Sequence, residues 1–220
     1  MEKKNKKTLV WGAGLLAIFV LWTVLVCLVD VQAVGPEGSS VGFATLNSFV
    51  HDLTGVNFSL YIITDWLGLV PFGVAFGFAI LGLVQWIKRK SFFKVDRSIL
   101  ALGGFYTVVM SVYVLFEMVV INYRPTLIDG YLEVSYPSST TMLVMCVMPT
   151  AMMQLRARIK NDVLRRCVMV TIAVFTAFMV IGRIVSGVHW ITDIIGGAIL
   201  STGLVMLYYL VCDLEKKEKF

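Results

Sequence analysis

The chain has 220 residues, 58% of them hydrophobic and 15% charged, with a formal net charge of +5 and a mean hydropathy of +0.84. That composition excludes an ordinary soluble domain and reads as a single membrane domain over 1–220, so the positive balance is a question of sidedness and not of nucleic-acid binding. Cys27, Cys146, Cys167 and Cys212 lie in or beside separate apolar runs and read as packing residues, and the two histidines are far apart, so neither a disulfide framework, a metal site nor a cofactor is expected.

Residues 1–7 carry four lysines, and the apolar run over about 9–29 is long enough, at ~1.5 Å per residue, to cross a ~30 Å hydrocarbon core. It reads as a retained anchor: Val31 and Ala33 form a weak cleavage pattern, and the run is too long for a signal-peptide core. Over about 36–64 the chain turns polar after Gly35-Pro36. Here Phe43, Leu46, Val50 and Leu53 share a helical stripe that predicts a short interfacial helix in the first outer loop, with Asn47, Asp52 and a solvated His51 on its other faces.

Thr64-Asp65 reads as the cap of a second span over about 66–87. The basic loop holding Lys88, Arg89, Lys90, Lys94 and Arg97 leads to a third span over 99–121, closed by Arg124-Pro125. A fourth span over 137–155 opens on the hydroxyls of Ser138, Ser139, Thr140 and Thr141. The fifth covers 167–185 and the sixth 190–212, with Lys216, Lys217 and Lys219 closing the chain. The expected fold is therefore all-α, a bundle of six transmembrane helices plus the interfacial helix.

Seventeen of the nineteen Lys and Arg residues fall in four segments that six spans place on one side, so the positive-inside rule puts that side and both termini in the cytoplasm. The exceptions, Arg124 and Arg183, sit at the outer ends of their spans, level with His189, Asp193 and the hydroxyl cluster. Ionisable groups among apolar runs are costly and are functional candidates for that reason. On a helix starting near 189, His189 and Asp193 lie one turn apart on one face, so the carboxylate accepts one ring N–H and leaves the other nitrogen free as nucleophile or base. The planar fork of Arg183 suits phosphate or carboxylate oxygens. The plainer reading is an Arg183–Asp193 ion pair with His189 as a bystander.

The segments 117–125, 137–141 and 183–193 resemble, in order and spacing, the type 2 phosphatidic acid phosphatase superfamily, membrane lipid phosphatases related to vanadium haloperoxidases. The motifs of that superfamily read K-x6-R-P, P-S-G-H and S-R-x5-H-x3-D. Arg183, His189 and Asp193 keep the third spacing, with Gly182 at the usual serine; Arg124-Pro125 matches the first, with Glu117 at the lysine; Pro137-Ser138-Ser139 matches the second, with Thr140 at the histidine. The motif-bearing part thus runs over about 117–193.

The resemblance implies metal-independent phosphoryl transfer from a phosphorylated membrane lipid, a phosphomonoester or a diphosphate such as a polyprenyl diphosphate, on the extracytoplasmic side. His189 attacks phosphorus, Asp193 orients it, Arg124 and Arg183 neutralise the phosphate oxygens, and Ser138 and Ser139 add donors. On a continuous helix Glu117 and Arg124 would share a face and pair. Thr140 cannot protonate a leaving group as an imidazole does, which favours a good leaving group. The alternative is a catalytically silent relative that binds a phosphorylated lipid or helps transport it; a homo-oligomer is compatible with either. A secondary transporter fits less well, because the charges gather at the outer end and the chain has no inverted repeat.

Overall fold

A computed structural model describes the backbone of residues 3–217 and the side chains of 5–214. Lys219 lies outside the described residues, as do the side chains of Lys3, Lys4, Lys216 and Lys217. The chain forms α1 (Lys3–Leu28), α2 (Ala44–Thr54), α3 (Phe58–Leu67), α4 (Leu69–Arg89), α5 (Arg97–Met118), α6 (Ser139–Arg158), α7 (Asp162–Val185) and α8 (Ile191–Lys217). Among the described residues the β structure is limited to isolated antiparallel bridges.

Among the described residues, five stretches are long and apolar enough to cross a membrane: Asn5–Leu28, Phe58–Arg89, Arg97–Met118, Asp162–Val185 and Ile191–Leu214. Their outward side chains, such as Trp11, Leu21, Phe76, Ile87 and Val174, are exposed, as expected of surfaces whose solvent is lipid. The chain is therefore an all-α, multi-pass membrane protein.

Among the long helices described, the one that does not meet that standard is at the centre. α6 has 20 residues, roughly 30 Å of helix, but opens on three hydroxyls and ends with Gln154 and two arginines. It packs against α4, α5, α7 and α8, and α5 supplies partners for Thr150 and Gln154. Thr150 donates to the Cys146 carbonyl at 2.8 Å and meets the Tyr106 hydroxyl at 3.1 Å, while Gln154 donates to the Ser98 carbonyl at 3.2 Å. Met142, Leu143, Cys146 and Ala151 fill the core that α6 shares with α1, α5 and α8.

α1 lies along α8 through small residues. A Cβ on Gly12 would come within 2.9 Å of Leu207 Cδ2, and one on Gly203 within 2.9 Å of Leu16 Cδ2, so these two backbones approach only because neither position carries a side chain.

Several boundaries differ from the sequence reading, each for a local reason. Thr64 is not a cap: its hydroxyl bonds back to the Leu60 and Tyr61 carbonyls inside α3, and the cap is Asn57, whose Oδ1 accepts from the Leu60 amide at 3.0 Å. The second rod therefore starts about two turns earlier, with α3 and α4 meeting at Gly68. α5 stops at Met118, and 119–138 is irregular, so Glu117 and Arg124 do not share a helix. In α2 it is Ala44 and Asn47 that are buried, while Leu46, Phe49 and Leu53 are exposed. Asn47 goes inward because it has partners there: it donates to the Gly42 carbonyl at 2.7 Å and to Thr192 Oγ1 at 3.0 Å. Of the four cysteines only Cys146 is buried; Cys27 and Cys167 are exposed and Cys212 is half-buried.

Candidate active site

Two irregular segments meet at one end of the bundle. The first, 119–138, folds back on itself: Tyr123 bridges Val134, the Arg124 amide donates to the Glu133 carbonyl at 3.0 Å, and the Ser135 amide donates to the Asn122 carbonyl at 2.9 Å. This fold brings Asn122, Arg124 and Ser135 together. The second is the turn between α7 and α8. Gly187 takes φ +66 there, and a Cβ on it would stand 1.8 Å from the Gly55 carbonyl oxygen, so the turn requires glycine on both counts. The Asn57 amide donates to the Ser186 carbonyl at 2.9 Å, and Trp190 Nε1 donates to the Tyr123 carbonyl at 2.7 Å, which fastens the turn to α3 and to the first segment.

His189 is held in this turn and buried. Because α8 begins only at Ile191, helical spacing does not bring His189 and Asp193 into direct contact: Nδ1 and Asp193 Oδ2 are 4.0 Å apart, beyond hydrogen-bond range. The Ser135 hydroxyl fills the gap, 3.0 Å from His189 Nδ1 and in a short hydrogen bond to Asp193 Oδ2. Asp193 also accepts from the Trp190 amide at 3.0 Å and from Asn122 Nδ2 at 3.3 Å. On the other side of the ring, Arg124 Nη1 lies 3.2 Å from His189 Nε2.

The end groups of this row fix its protons. Arginine can only donate, so His189 Nε2 accepts and carries a lone pair; at the other end the Ser135 hydroxyl donates to Asp193 Oδ2. The remaining proton sits on His189 Nδ1 and is donated to Ser135 Oγ. Burial first, and then the positive fields of Arg124 and Arg183, hold the His189 pKa well below 6.5, so the ring is neutral near pH 7 and Nε2 is a competent nucleophile.

Arg183, in the last turn of α7, is almost wholly buried. Its Nη1 donates to Thr64 Oγ1 at 3.3 Å, its Nη2 is 3.5 Å from Asp65 Oδ1, and its Nε has no hydrogen-bond partner in the protein. Arg124 Nε is 3.0 Å from Glu133 Oε2, an ion-pair contact without hydrogen-bond alignment. Both guanidiniums stand over the Tyr61 ring, Arg183 at 5.1 Å and Arg124 at 5.7 Å from its centroid. Two cations held this close and partly unsatisfied form a setting for an anion. Among the described residues no three His, Cys, Asp or Glu side chains gather as a metal site.

The remaining candidates lie around this centre. Ser138 is the N-cap of α6: its Oγ accepts from the Thr141 amide at 3.5 Å and its own amide donates to the Asp193 carbonyl at 3.1 Å. Ser139 opens α6 and shares a small cleft with Tyr113, Glu117 and Ser135. Glu117 is thus near the centre but not on Arg124, whose acidic partner is Glu133. Thr140 is buried against the α3–α4 junction, where a Cβ on Gly68 would be 3.6 Å from its Cγ2. His51 is not freely solvated: it is half-buried, its ring centroid 5.6 Å from that of Trp190.

Ser135, Tyr61, Asn122, Asp65 and Glu133 were not singled out from the sequence as site residues. Tyr61 and Asp65 lie on α3, outside all three motif segments, and Ser135 gave one faint signal, a hydroxyl just ahead of Pro137-Ser138.

Residues 115–216, just under half of the chain, match the model of the PAP2 superfamily. A solved structure described as the crystal structure of the first transmembrane PAP2 type phosphatidylglycerolphosphate phosphatase from Bacillus subtilis is similar in fold, with a TM-score of 0.55 and 22% identity, covering 94% of this chain and 97% of that one. No curated protein matches the chain. The segment that matches runs from the last turn of α5 through α8 and contains His189, Asp193, Arg124 and Arg183.

Proposed function

We propose that this protein is a lipid phosphatase that cleaves a phosphomonoester or diphosphate headgroup through a phosphohistidine on His189. The observation that carries the reading is the buried imidazole whose Nε2 lies 3.2 Å from Arg124 Nη1, with Arg183 and Arg124 on the same Tyr61 ring. A phosphoryl group seated between the two guanidiniums has its oxygens neutralised and its phosphorus within reach of Nε2. Nε2 attacks, the N–P bond forms as the bond to the leaving oxygen breaks, and water then displaces the histidine to release phosphate.

Asp193 acts on His189 through Ser135, Ser139 adds a hydroxyl donor, and Ser138 contributes by fixing the start of α6. Neither Glu117 nor Thr140 supplies an imidazole, which favours a leaving group that needs little protonation, such as the phosphate of a lipid diphosphate.

The whole chain over 1–220 works as one membrane domain, with its motif-bearing part over about 117–193 and α2 in the segment over 36–64 lying at the interface. α6 crosses as a sixth span and both termini are cytoplasmic, since the α4–α5 and α6–α7 connections and the helix ends beside them carry ten of the cations. The site then opens on the extracytoplasmic side.

One observation favours a second reading, a protein that binds a phosphorylated lipid without cleaving it: Thr140 offers no acid at the start of α6. The same experiment separates the two. Purified protein is assayed for phosphate release across lipid monophosphates and diphosphates, with His189→Ala as control. Release by the wild type and loss of it, by at least about 10³-fold, in the variant supports the phosphatase. Equal release by both removes His189 from the chemistry, and binding without release supports the second reading.

A further inference from the structure

We propose that Ser135 is a positioning residue that transmits the hold of Asp193 to His189 and sets which ring nitrogen attacks. The inference rests on the phosphatase reading for its kinetic part and on geometry alone for its structural part.

The direct distance from His189 Nδ1 to Asp193 Oδ2, 4.0 Å, is too long for a hydrogen bond, and the one hydroxyl between them is Ser135, 3.0 Å from Nδ1. Asp193 is not free to close the gap. Its Oδ2 is held by the Trp190 amide and its Oδ1 by Asn122 Nδ2, and its own carbonyl accepts from the Ser138 amide. Ser135 is equally fixed, by its amide bond to the Asn122 carbonyl at 2.9 Å. Asn122 therefore holds both the serine backbone and the aspartate side chain, and it registers the first irregular segment against α8.

The consequence concerns charge during attack. When Nε2 gives its lone pair to phosphorus the ring becomes cationic, and the proton on Nδ1 stays where it is, donated to Ser135 Oγ. Ser135 keeps its own proton and donates it to Asp193. No proton changes owner along this row; the serine passes the polarisation of a carboxylate to an imidazolium that the carboxylate cannot touch. Without the hydroxyl, Nδ1–H loses its acceptor in a buried setting, and the tautomer with the proton on Nε2, which cannot attack, is disfavoured by Arg124 alone.

The test uses the full-length protein in detergent, with ¹⁵N-labelled histidine and His51→Gln to leave a single ring signal. In the otherwise wild-type protein the His189 ring is expected to be in the Nδ1–H form. Ser135→Ala is expected to shift the ring toward a mixture of tautomers and to lower kcat about 10- to 100-fold with KM nearly unchanged, and Ser135→Thr, which keeps the hydroxyl, to restore both. A ring already in the Nε2–H form before any change at Ser135 would overturn the proposal, and this readout does not depend on the alanine variant folding. A Ser135→Ala protein with unaltered kcat and tautomer would overturn it as well. If no lipid phosphate is hydrolysed by the wild type while the tautomer still depends on Ser135, the phosphatase reading fails and the hydrogen-bond arrangement stands.

Discussion

Burial and two neighbouring guanidiniums act on His189 in the same direction, against its protonation, while the contact with Ser135 opposes them. The acid limb of kcat/KM is therefore expected well below pH 6.5, the ordinary histidine value, and a pH–rate profile checks it. Stability follows the same sign. Below about pH 6.5 the unfolded chain takes a proton at this position and the folded chain does not, so folding weakens as pH falls, by up to about 1.4 kcal/mol per unit. Thermal unfolding at about pH 7.5 and 5.5 should show a larger drop in Tm for the wild type than for His189→Gln.

Glu133 occupies Arg124 with a carboxylate that is less than half exposed, a contact of about 1 kcal/mol or less. Glu133→Gln is expected to tighten inhibition by vanadate up to about fivefold, read as the half-inhibiting concentration. Thr140→His supplies an imidazole at the start of α6, and monoester cleavage should gain more than diphosphate cleavage. At this scale the sequence exposed Arg183, His189 and Asp193 because polar groups stand out between apolar runs. Tyr61 and Ser135 stayed hidden: an aromatic on an apolar helix and a serine in a loop are unremarkable until the fold brings them to the ring.

Among the elements, the turn between α7 and α8 is the least tolerant. A side chain at Gly187 meets both a left-handed backbone and the Gly55 carbonyl 1.8 Å away. Gly187→Ala should destabilise by on the order of 2–4 kcal/mol and loosen His189 with it, seen together as a lower Tm and lost activity. The long helices were legible from hydropathy, and their ends less so. α5 stops at Met118 although Val119, Val120 and Ile121 continue the apolar run, with no glycine or proline to mark the end. That misplaced end produced the expected Glu117–Arg124 pair. The true partner, Glu133, is brought close by the hairpin-like return of 119–138, which has no periodic pattern to read. α2 was legible as an amphipathic helix, but the inward turn of Asn47 depends on Thr192, 145 positions away.

For the whole molecule, the α1–α8 seam and the central α6 decide how the bundle holds the site. Gly12 and Gly203 let α1 and α8 close on each other, and Trp22 of α1 donates to the Thr192 carbonyl at 3.1 Å, beside Asp193. Gly203→Leu should push α1 outward, lowering Tm in detergent and activity in parallel, whereas substitution at the open Gly14 should do neither. The all-α class and the membrane setting were plain from composition; the placing of α6 at the centre was not, because a helix of mixed polarity is equally readable as a weak span.

That placing bears on biogenesis. A segment that opens on hydroxyls, ends on arginines and relies on Ser98, Tyr106 and Tyr208 of neighbouring helices as partners for Gln154 and Thr150 has little drive of its own to leave the translocon for lipid. Its integration should wait for α7 and α8 to be synthesised, so nascent chains truncated just after Arg158 should expose α6 to aqueous cysteine-labelling reagents, and chains carried through α8 should protect it.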